Sequence, residues 1–568
     1  MWPTATRNGV YMSISIRPSR IAVCAFLAAL ICCGEVQPAV TVLWLDFDMK
    51  NIPEPEERSA DFYNYFFKGQ LIEHTKREFD IPRLIRHAVG KPRQAPNVNA
   101  LDEVPDSSWY TNRHHLHTMT IEQLVRGPNQ AVPDFGGATI TKAKITGVTP
   151  GLMLKDKNGH SYLIKFDQVS YPNLQSGAEV ICTKILFASG YNVPENYIAY
   201  INPADLEIDG KVEVTDPSGE KRAFTKDDLK EMLKRVANMP DGRYRVMASK
   251  ILSGKPKGPF PQAGLRADDP NDLIPHEHRR ELRGLRVFSS WINHWDMKED
   301  QSLDMYVEEG GRTFLRHYLL DFGSDLGAGQ FPTEYSRGRE HGFDPKSLGK
   351  EIITFGAYVS ADEKHGITIS PEVGMFTAGD FDPEGWKPTY PTVMFDNMTD
   401  QDAFWAARII LSFTENELRG IVETAEYADP KDTEYVLETL MERRRIIAKH
   451  WLARVDGLSA FSVRPAKEGV ALMFRDLMID NKLARAEGTT YTYEIKGRHY
   501  KSGMKTIHQT EIVLDRAVLG AAMERDGGQT PIQLTIWTNR EGTTAQPVRI
   551  YLERDSTVGA EIVRISRG

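Results

Sequence analysis

The chain has 568 residues, 41% hydrophobic and 26% charged, with a formal net charge of −8. Those values exclude collagen-like and wholly disordered chains, and 70 basic against 78 acidic residues argue against nucleic acid held by bulk charge. Four cysteines are too few for a disulfide framework, while the length predicts three or four domains.

The chain opens with Arg7, Arg17 and Arg20, carries no acidic residue before Glu35, and has an uncharged run of thirteen residues from Ile21 to Cys33. A basic start and a short apolar run have the form of an export signal over residues 1–34. The run is short of the roughly 20 residues of a bilayer span; the other reading is a buried N-terminal helix or strand. Met12 as the start leaves an equally good signal. Leu30-Ile31-Cys32-Cys33 also resembles a lipoprotein cleavage box, with Cys33 lipidated and anchored to a membrane, although Cys32 stands where Gly, Ala or Ser is usual. The expected location is periplasmic, cell-envelope or secreted.

Residues 46–140 are polar, proline-rich and irregular, and the turn-rich stretch Asp102 to Arg113 is expected to pack on something larger. Residues 141–245 begin as strand, hairpin, strand, helix and strand. Leu152-Met153-Leu154 and Tyr162 to Phe166 flank Asn158-Gly159, a tight-turn signal. Ala178, Ile181, Cys182, Ile185 and Ser189 form one helical stripe. Residues 246–455 are richer in helix: Leu282 to Trp295, Thr399 to Phe413, and Thr433 to Leu452 as the longest. Thr414-Glu415-Asn416-Glu417 is a capping box, and Asp429-Pro430 caps a further helix. Residues 461–568 alternate as strands and predict a small β-sandwich-like domain.

Three separated pieces carry chemistry. His294-Trp295-Asp296-Met297-Lys298-Glu299-Asp300-Gln301 offers a carboxylate, a lysine two residues on and an amide five residues on. That set suits phosphoryl transfer: the carboxylate orients or deprotonates an acceptor hydroxyl, the lysine steadies the phosphate, and the amide helps hold a metal. Leu319-Leu320-Asp321-Phe322-Gly323 delivers a carboxylate at the end of an apolar strand, where it can hold Mg²⁺. Lys165 ends a strand and Glu179 lies in the next helix, a pair that can present the lysine to phosphates.

These residues resemble the protein-kinase-like superfamily. His294 to Gln301 aligns without a gap on the pattern H-R-D-L-K-P-E-N, and Asp321-Phe322-Gly323 matches D-F-G. Ile145 to Leu152, running into Tyr162 to Phe166, looks more like the HipA-type and other atypical or secreted bacterial kinases. The resemblance covers about residues 141–455. It implies an α+β, two-lobed kinase-like fold, with a β-rich N-lobe and one key helix over 141–245, a helical C-lobe over 246–455, and an appended C-terminal β domain. It also implies ATP with Mg²⁺ or Mn²⁺, and a hydroxyl-bearing protein, sugar or small molecule as acceptor. Carried over, Asp296 is the catalytic aspartate and Lys298 its accompanying lysine. Lys165 is the phosphate-binding lysine, Glu179 its helix partner, Gly147 and Gly151 the nucleotide-loop glycines, and Asp321 and Gln301 the metal ligands. Gln301 replaces the usual asparagine, the loop has two glycines where three are usual, and Trp295 replaces the arginine that answers activation-loop phosphorylation.

Arg113-His114-His115-Leu116-His117 and His276-Glu277-His278 lack the His-Glu-x-x-His spacing of a helical zinc face and read as surface histidines. No G-x-S-x-G elbow or Walker loop is present. Arg266 to Arg286 mixes acids and bases and reads as a solvated lead-in to the next helix, or else as an acceptor or nucleotide contact. Two functions therefore compete: an exported ATP-dependent kinase, or a binding protein of the cell envelope on a degenerate kinase scaffold, its β domain docking a polysaccharide or protein.

Overall fold

The computed structural model describes residues 42–59, 80–145, 150–215, 220–329, 337–342, 347, 350, 353–354, 357–359, 368–522, 531–541, 546–555 and 557–568. The proposed leader with Cys24, Cys32 and Cys33, and Gly147 of the nucleotide loop, lie outside the described residues. Cys182 is described, buried and free. No helix among the described residues is long and apolar enough to cross a membrane. The fold is mixed α and β.

Two short helices, α1 (Ile81–Ala88) and α2 (Ile121–Arg126), precede a six-stranded sheet. Its strands are β1 (Thr139–Lys144), β2 (Gly151–Lys155), β3 (Ser161–Phe166), β4 (Asn196–Ile201), β5 (Glu207–Ile208) and, after the hairpin of β6 (Glu213–Thr215) and β7 (Lys221–Ala223), β8 (Tyr244–Lys250). The spatial order is β4-β8-β3-β2-β1-β5. β2 and β3 pair antiparallel around the Asn158-Gly159 turn, where Gly159 has φ 85°, a conformation open to glycine. Along β3, Tyr162, Ile164 and Phe166 are buried in an apolar cluster with Leu152, Leu154 and Val246. The two-residue period therefore turns Leu163 and Lys165 to the other face.

On that face α3 (Leu174–Ser189) buries nearly every residue. It ends at Gly190, φ 118°, where a Cβ would run into the Tyr110 ring. α4 (Lys226–Leu233) packs Leu229, Met232 and Leu233 into the sheet's apolar cluster, and the helical part comprises α5 (Arg280–Ile292), α6 (Val393–Asp396), α7 (Asp400–Ser412), α8 (Glu415–Glu423) and α9 (Pro430–Leu452), the last 23 residues long. Thr414 with Glu417 forms a capping box, and Asp429 caps α9 ahead of Pro430. The helix expected to reach Trp295 stops at Ile292, because Asn293 takes the left-handed conformation (φ 56°, ψ 46°) and caps it. That ending releases His294 to Gln301 as a loop. β10 (Ser302–Glu309) and β11 (Arg312–Leu319) follow as a hairpin, with β9 (Lys255–Pro256) on its edge.

The C-terminal strands are β12 (Leu458–Ala466), β13 (Gly469–Asp476), β14 (Thr490–Lys496), β15 (Lys505–Ile507), β16 (Glu511–Asp515), β17 (Ile532–Asn539), β18 (Val548–Glu553) and β19 (Glu561–Arg567). They form sheets of order β12-β13-β16 and β15-β14-β17-β18-β19, and both contribute to one apolar cluster that includes Leu472, Ile512, Leu534 and Ile550.

The segment from Arg266 to Arg286 corrects its sequence reading. Arg266, Asp272, His276, Arg279, Arg280, Glu281 and Arg283 are all buried, so this is no solvated lead-in. Arg266 meets Asp304 at 2.7 Å, Arg280 meets Asp102 at 2.6 Å, and Asp402 accepts from Arg280 at 3.2 Å and from Arg283 at 3.4 Å. Long-range carboxylates offset the cost of burying the guanidinium groups. Of the histidines, His117 is exposed as expected, but His114 and His276 are buried, His276 against Asp272 at 2.8 Å. Trp109, from the N-terminal stretch, stacks on His317 with ring centroids 3.5 Å apart, while Arg279 covers it. The irregular stretch is thus stitched to the helical part by buried ions and rings.

Candidate active site

The site begins with strand register. In the β2–β3 pair Gly151 stands opposite Lys165, and in the β3–β8 pair Met247 does. Lys165 lies on the face opposite the sheet's apolar cluster, under α3. The start of α3 is fixed by Asp167, because Asn173 at its N-cap makes no side-chain cap bond. Asp167 Oδ1 accepts from the backbone N–H groups of Gln175 and Ser176, both at 3.0 Å. Arg245 on β8 meets Asp167 at 3.3 Å and also donates to the Ala425 carbonyl beyond α8. The helix is thereby held at a fixed height over the sheet, which sets Glu179.

Glu179 uses both oxygens. Lys165 Nζ approaches its Oε2 at 3.1 Å, while Oε1 accepts from the Phe322 backbone N–H at 3.1 Å and from Asn196 Nδ2 at 3.2 Å. Lys165 Nζ also lies 2.6 Å from Asp321 Oδ1. Burial works against the lysine's charge, but Glu179 and Asp321 outweigh it and hold its pKa above the usual lysine range. Partial desolvation raises the Asp321 carboxyl, yet Lys165 pulls it below its ordinary value. Asp321 adopts φ 63°, a conformation uncommon for non-glycine residues, which Asp tolerates better than most. Its side chain remains 56% exposed, and that of Lys165 36%.

The hairpin explains how residues 25 positions apart meet. Ser302 at the start of β10 pairs with Leu319 at the end of β11, and the Leu320 N–H donates to the Gln301 carbonyl at 2.9 Å. The loop after α5 and the D-F-G segment are thus the two ends of one hairpin. His294 Nδ1 lies 2.8 Å from Asp325 Oδ1, and Trp295 Nε1 donates to the Ser324 carbonyl at 2.8 Å, closing the same junction. Burial raises Asp325 to about 6 against the opposing pull of His294. Burial also disfavours the His294 charge, but Asp325 outweighs it and raises that imidazole above its usual value.

Asp296 Oδ2 accepts from Gln301 Nε2 at 2.8 Å and faces Lys298 Nζ at 3.4 Å. Burial raises the Asp296 carboxyl, and Lys298 opposes that rise. Lys165, Glu179, Gly151, Asp296, Lys298 and Asp321 all line one cleft of about 620 Å³. Gln301 does not line it: it lies behind Asp296, with its Oε1 buried and unpartnered. Asp321 is an accessible hard carboxylate of the kind that suits Mg²⁺ or Mn²⁺, whereas the Gln301 amide oxygen, closed off from the cleft, does not fit as the second donor expected of it.

Sequence reasoning missed Asp167, Asn196, Arg245 and Asp325. Asp325 lies two residues past Gly323 and could have been sought as the partner of His294. The other three follow no spacing rule, since their roles depend on strands β4 and β8 returning to α3.

No protein-family model matches this sequence, and no curated protein matches it either. Similar solved structures are kinases. A Helicobacter pylori proinflammatory kinase, CtkA, aligns at 12% identity over 57% of this chain and 98% of its own, with a TM-score of 0.31. The Golgi casein kinase aligns at 10% identity over 58% of this chain and 73% of its own, TM-score 0.29. The same kinase with Mn/ADP bound aligns at 11% over 71% of this chain and 94% of its own, TM-score 0.28.

Proposed function

We propose that this chain is a kinase-like phosphotransferase of the atypical, HipA-like or secreted bacterial kind, moving the γ-phosphoryl group of ATP to a hydroxyl acceptor. The supporting observation is the convergence of Lys165, Glu179 and Asp321 with Asp296 and Lys298 in one cleft. Lys165, steadied by Glu179, engages the α- and β-phosphates. Asp296 accepts the acceptor's hydroxyl proton as that oxygen bonds to the γ-phosphorus. The bond from this phosphorus to the β–γ bridging oxygen breaks, and ADP leaves. Lys298 balances charge on the transferring group. Asp321 would hold Mg²⁺ or Mn²⁺, which neutralises phosphate charge when bound. The raised Asp296 pKa suits a proton acceptor, because a more basic carboxylate takes the proton more readily.

The proposal extends to a two-lobed arrangement with an appended β domain. It places the protein outside the cytoplasm, led there by residues 1–34, with lipidation of Cys33 as the lesser variant. A second reading, a binding protein on a kinase scaffold, is favoured by Gln301: its amide is turned to Asp296 and its oxygen is shut off from the cleft.

The test is thermal shift of the mature protein with ATP and Mg²⁺ or Mn²⁺, with Asp321→Ala as control, followed by phosphate transfer with Asp296→Ala. Nucleotide-dependent stabilisation that disappears in Asp321→Ala supports the site. Identical melting with and without ATP in both proteins would sink it. Binding without transfer, unaffected by Asp296→Ala, would favour the scaffold reading.

A further inference from the structure

A second pocket of about 210 Å³ lies under the catalytic segment. That is smaller than the about 300–1,000 Å³ typical of organic-ligand sites, and it suits a small ion or a single functional group. Three arginines, Arg337, Arg339 and Arg443, line it with Asp380 and Asp382. Arg339 is paired with Asp380 at 2.6 Å, and Asp382 Oδ1 accepts from the Glu384 backbone N–H at 3.0 Å.

Arg443, on α9, differs from the other two. It is only 4% exposed, its Nε is buried with no hydrogen-bond partner, and its guanidinium makes no ion pair or hydrogen bond among the described residues. Its neighbours are the rings of Phe376 and Phe381, 4.7 and 4.0 Å from the guanidinium carbon. Ring faces favour a cation, but they satisfy no N–H donor. Burial, and then Arg339, disfavour its charge. A guanidinium nonetheless keeps its proton. A buried cation without an acceptor is costly, and the arginine fork matches the oxygens of a tetrahedral anion.

The pocket adjoins the catalytic cleft. Asn293, the cap of α5 that immediately precedes His294, lines its wall and accepts from Trp386 Nε1 at 3.0 Å. Arg337 lies over the ring of Trp295 at 5.5 Å, and Trp295 lines the cleft.

We propose that this pocket binds a phosphate- or sulfate-type oxyanion on Arg443, as part of the acceptor or as a free ion. Only its assignment to the acceptor rests on the phosphotransferase reading. Oxyanion binding as such does not.

The experiment is calorimetric titration of the full chain, without nucleotide or metal and at constant ionic strength. The ligands are inorganic phosphate, inorganic sulfate and O-phosphoserine. Saturable binding is expected, unchanged in Lys165→Met and weakened about tenfold or more in Arg443→Gln, the loss of a charged hydrogen bond. Arg443→Lys should restore part of it. Arg339→Gln, at a partly exposed position, provides a second variant and should also weaken binding by removing a positive charge from the pocket. Tighter binding of O-phosphoserine than of inorganic phosphate assigns the anion to an esterified acceptor, and the reverse assigns it to the free ion. Absence of saturable binding, wild-type affinity in both arginine variants, or loss of binding in Lys165→Met would each overturn the proposal. The last would place the anion in the catalytic cleft.

Discussion

The cleft and the Arg266–Arg283 cluster are built from the same ion-pair chemistry and end in opposite conditions. Around Asp402, which is wholly buried, charges are matched by partners inside the protein: Arg280 and Arg283 meet one carboxylate, Arg280 also meets Asp102, and Thr399 completes the cap of α7. Around Asp321 the carboxylate meets Lys165 at 2.6 Å, yet it is more than half exposed and the lysine about a third. Matched and dry charges hold a scaffold together. Paired charges that still reach solvent, as Lys165 and Asp321 do, can exchange a partner for a ligand.

Removing a charge from the dry cluster should have the largest effect. Asp402→Ala takes from the buried Arg283 its carboxylate partner, leaves the buried Arg280 to Asp102 alone and breaks a capping box, so it should cost about 3–5 kcal/mol of stability by denaturant unfolding. A loss below about 1 kcal/mol would mean that water already reaches the cluster. Asp296→Asn should do the converse, lowering phosphate transfer by about 10²–10⁴-fold while the melting temperature changes little.

A pH experiment sharpens the boundary between the two regions, because the His294–Asp325 pair is buried yet belongs to the cleft's frame. Asp325 is raised to about 6, so between its unfolded pKa and that value the folded chain keeps a proton the unfolded chain has lost. His294 is raised as well, and its contribution is present below the unfolded pKa and lost as pH rises through the folded one. Both groups therefore make stability fall with rising pH. The unfolding free-energy advantage of the wild type over His294→Gln/Asp325→Asn should shrink from about pH 5 to about pH 8, by an amount on the order of 1 kcal/mol. An advantage that grows with pH would contradict the pairing. The smallest effect should come from an exposed ion pair: Arg445→Ala, which frees Glu442 on the surface of α9, should change stability by less than about 0.5 kcal/mol. Together the variants rank buried, cleft and surface charges on one scale.

Several features were legible in the chain itself. The β2–β3 hairpin announced itself by Asn158-Gly159 between alternating apolar runs, and α8 and α9 by their caps, because these depend on neighbours a few residues away. The order of Lys165, Glu179, Asp296 and Asp321 likewise pointed to one site, and all four line one cleft. The end of α5 was missed because Ser289 to Trp295 keeps an apolar pattern through Asn293, and periodicity does not register a left-handed cap. The burial of Arg266 to Arg283 was missed for a different reason. Their carboxylate partners Asp102, Asp304 and Asp402 lie up to 178 positions away, at Arg280 and Asp102, so local composition read the stretch as solvated.

The sequence by itself therefore determined most local elements and singled out Lys165, Glu179, Asp296, Lys298 and Asp321 of the cleft, since turn chemistry, caps and alternation act over a few positions. Only the tertiary structure decided which charges are matched. The height of α3 set by Asp167 and Arg245, the hairpin that joins Gln301 to Leu320, and the Arg443 Nε that finds no partner among the described residues each arise from segments far apart in the chain. Whether a charge is a bolt or a binding group depends on its dielectric surroundings and its partners, and both are properties of the packed molecule.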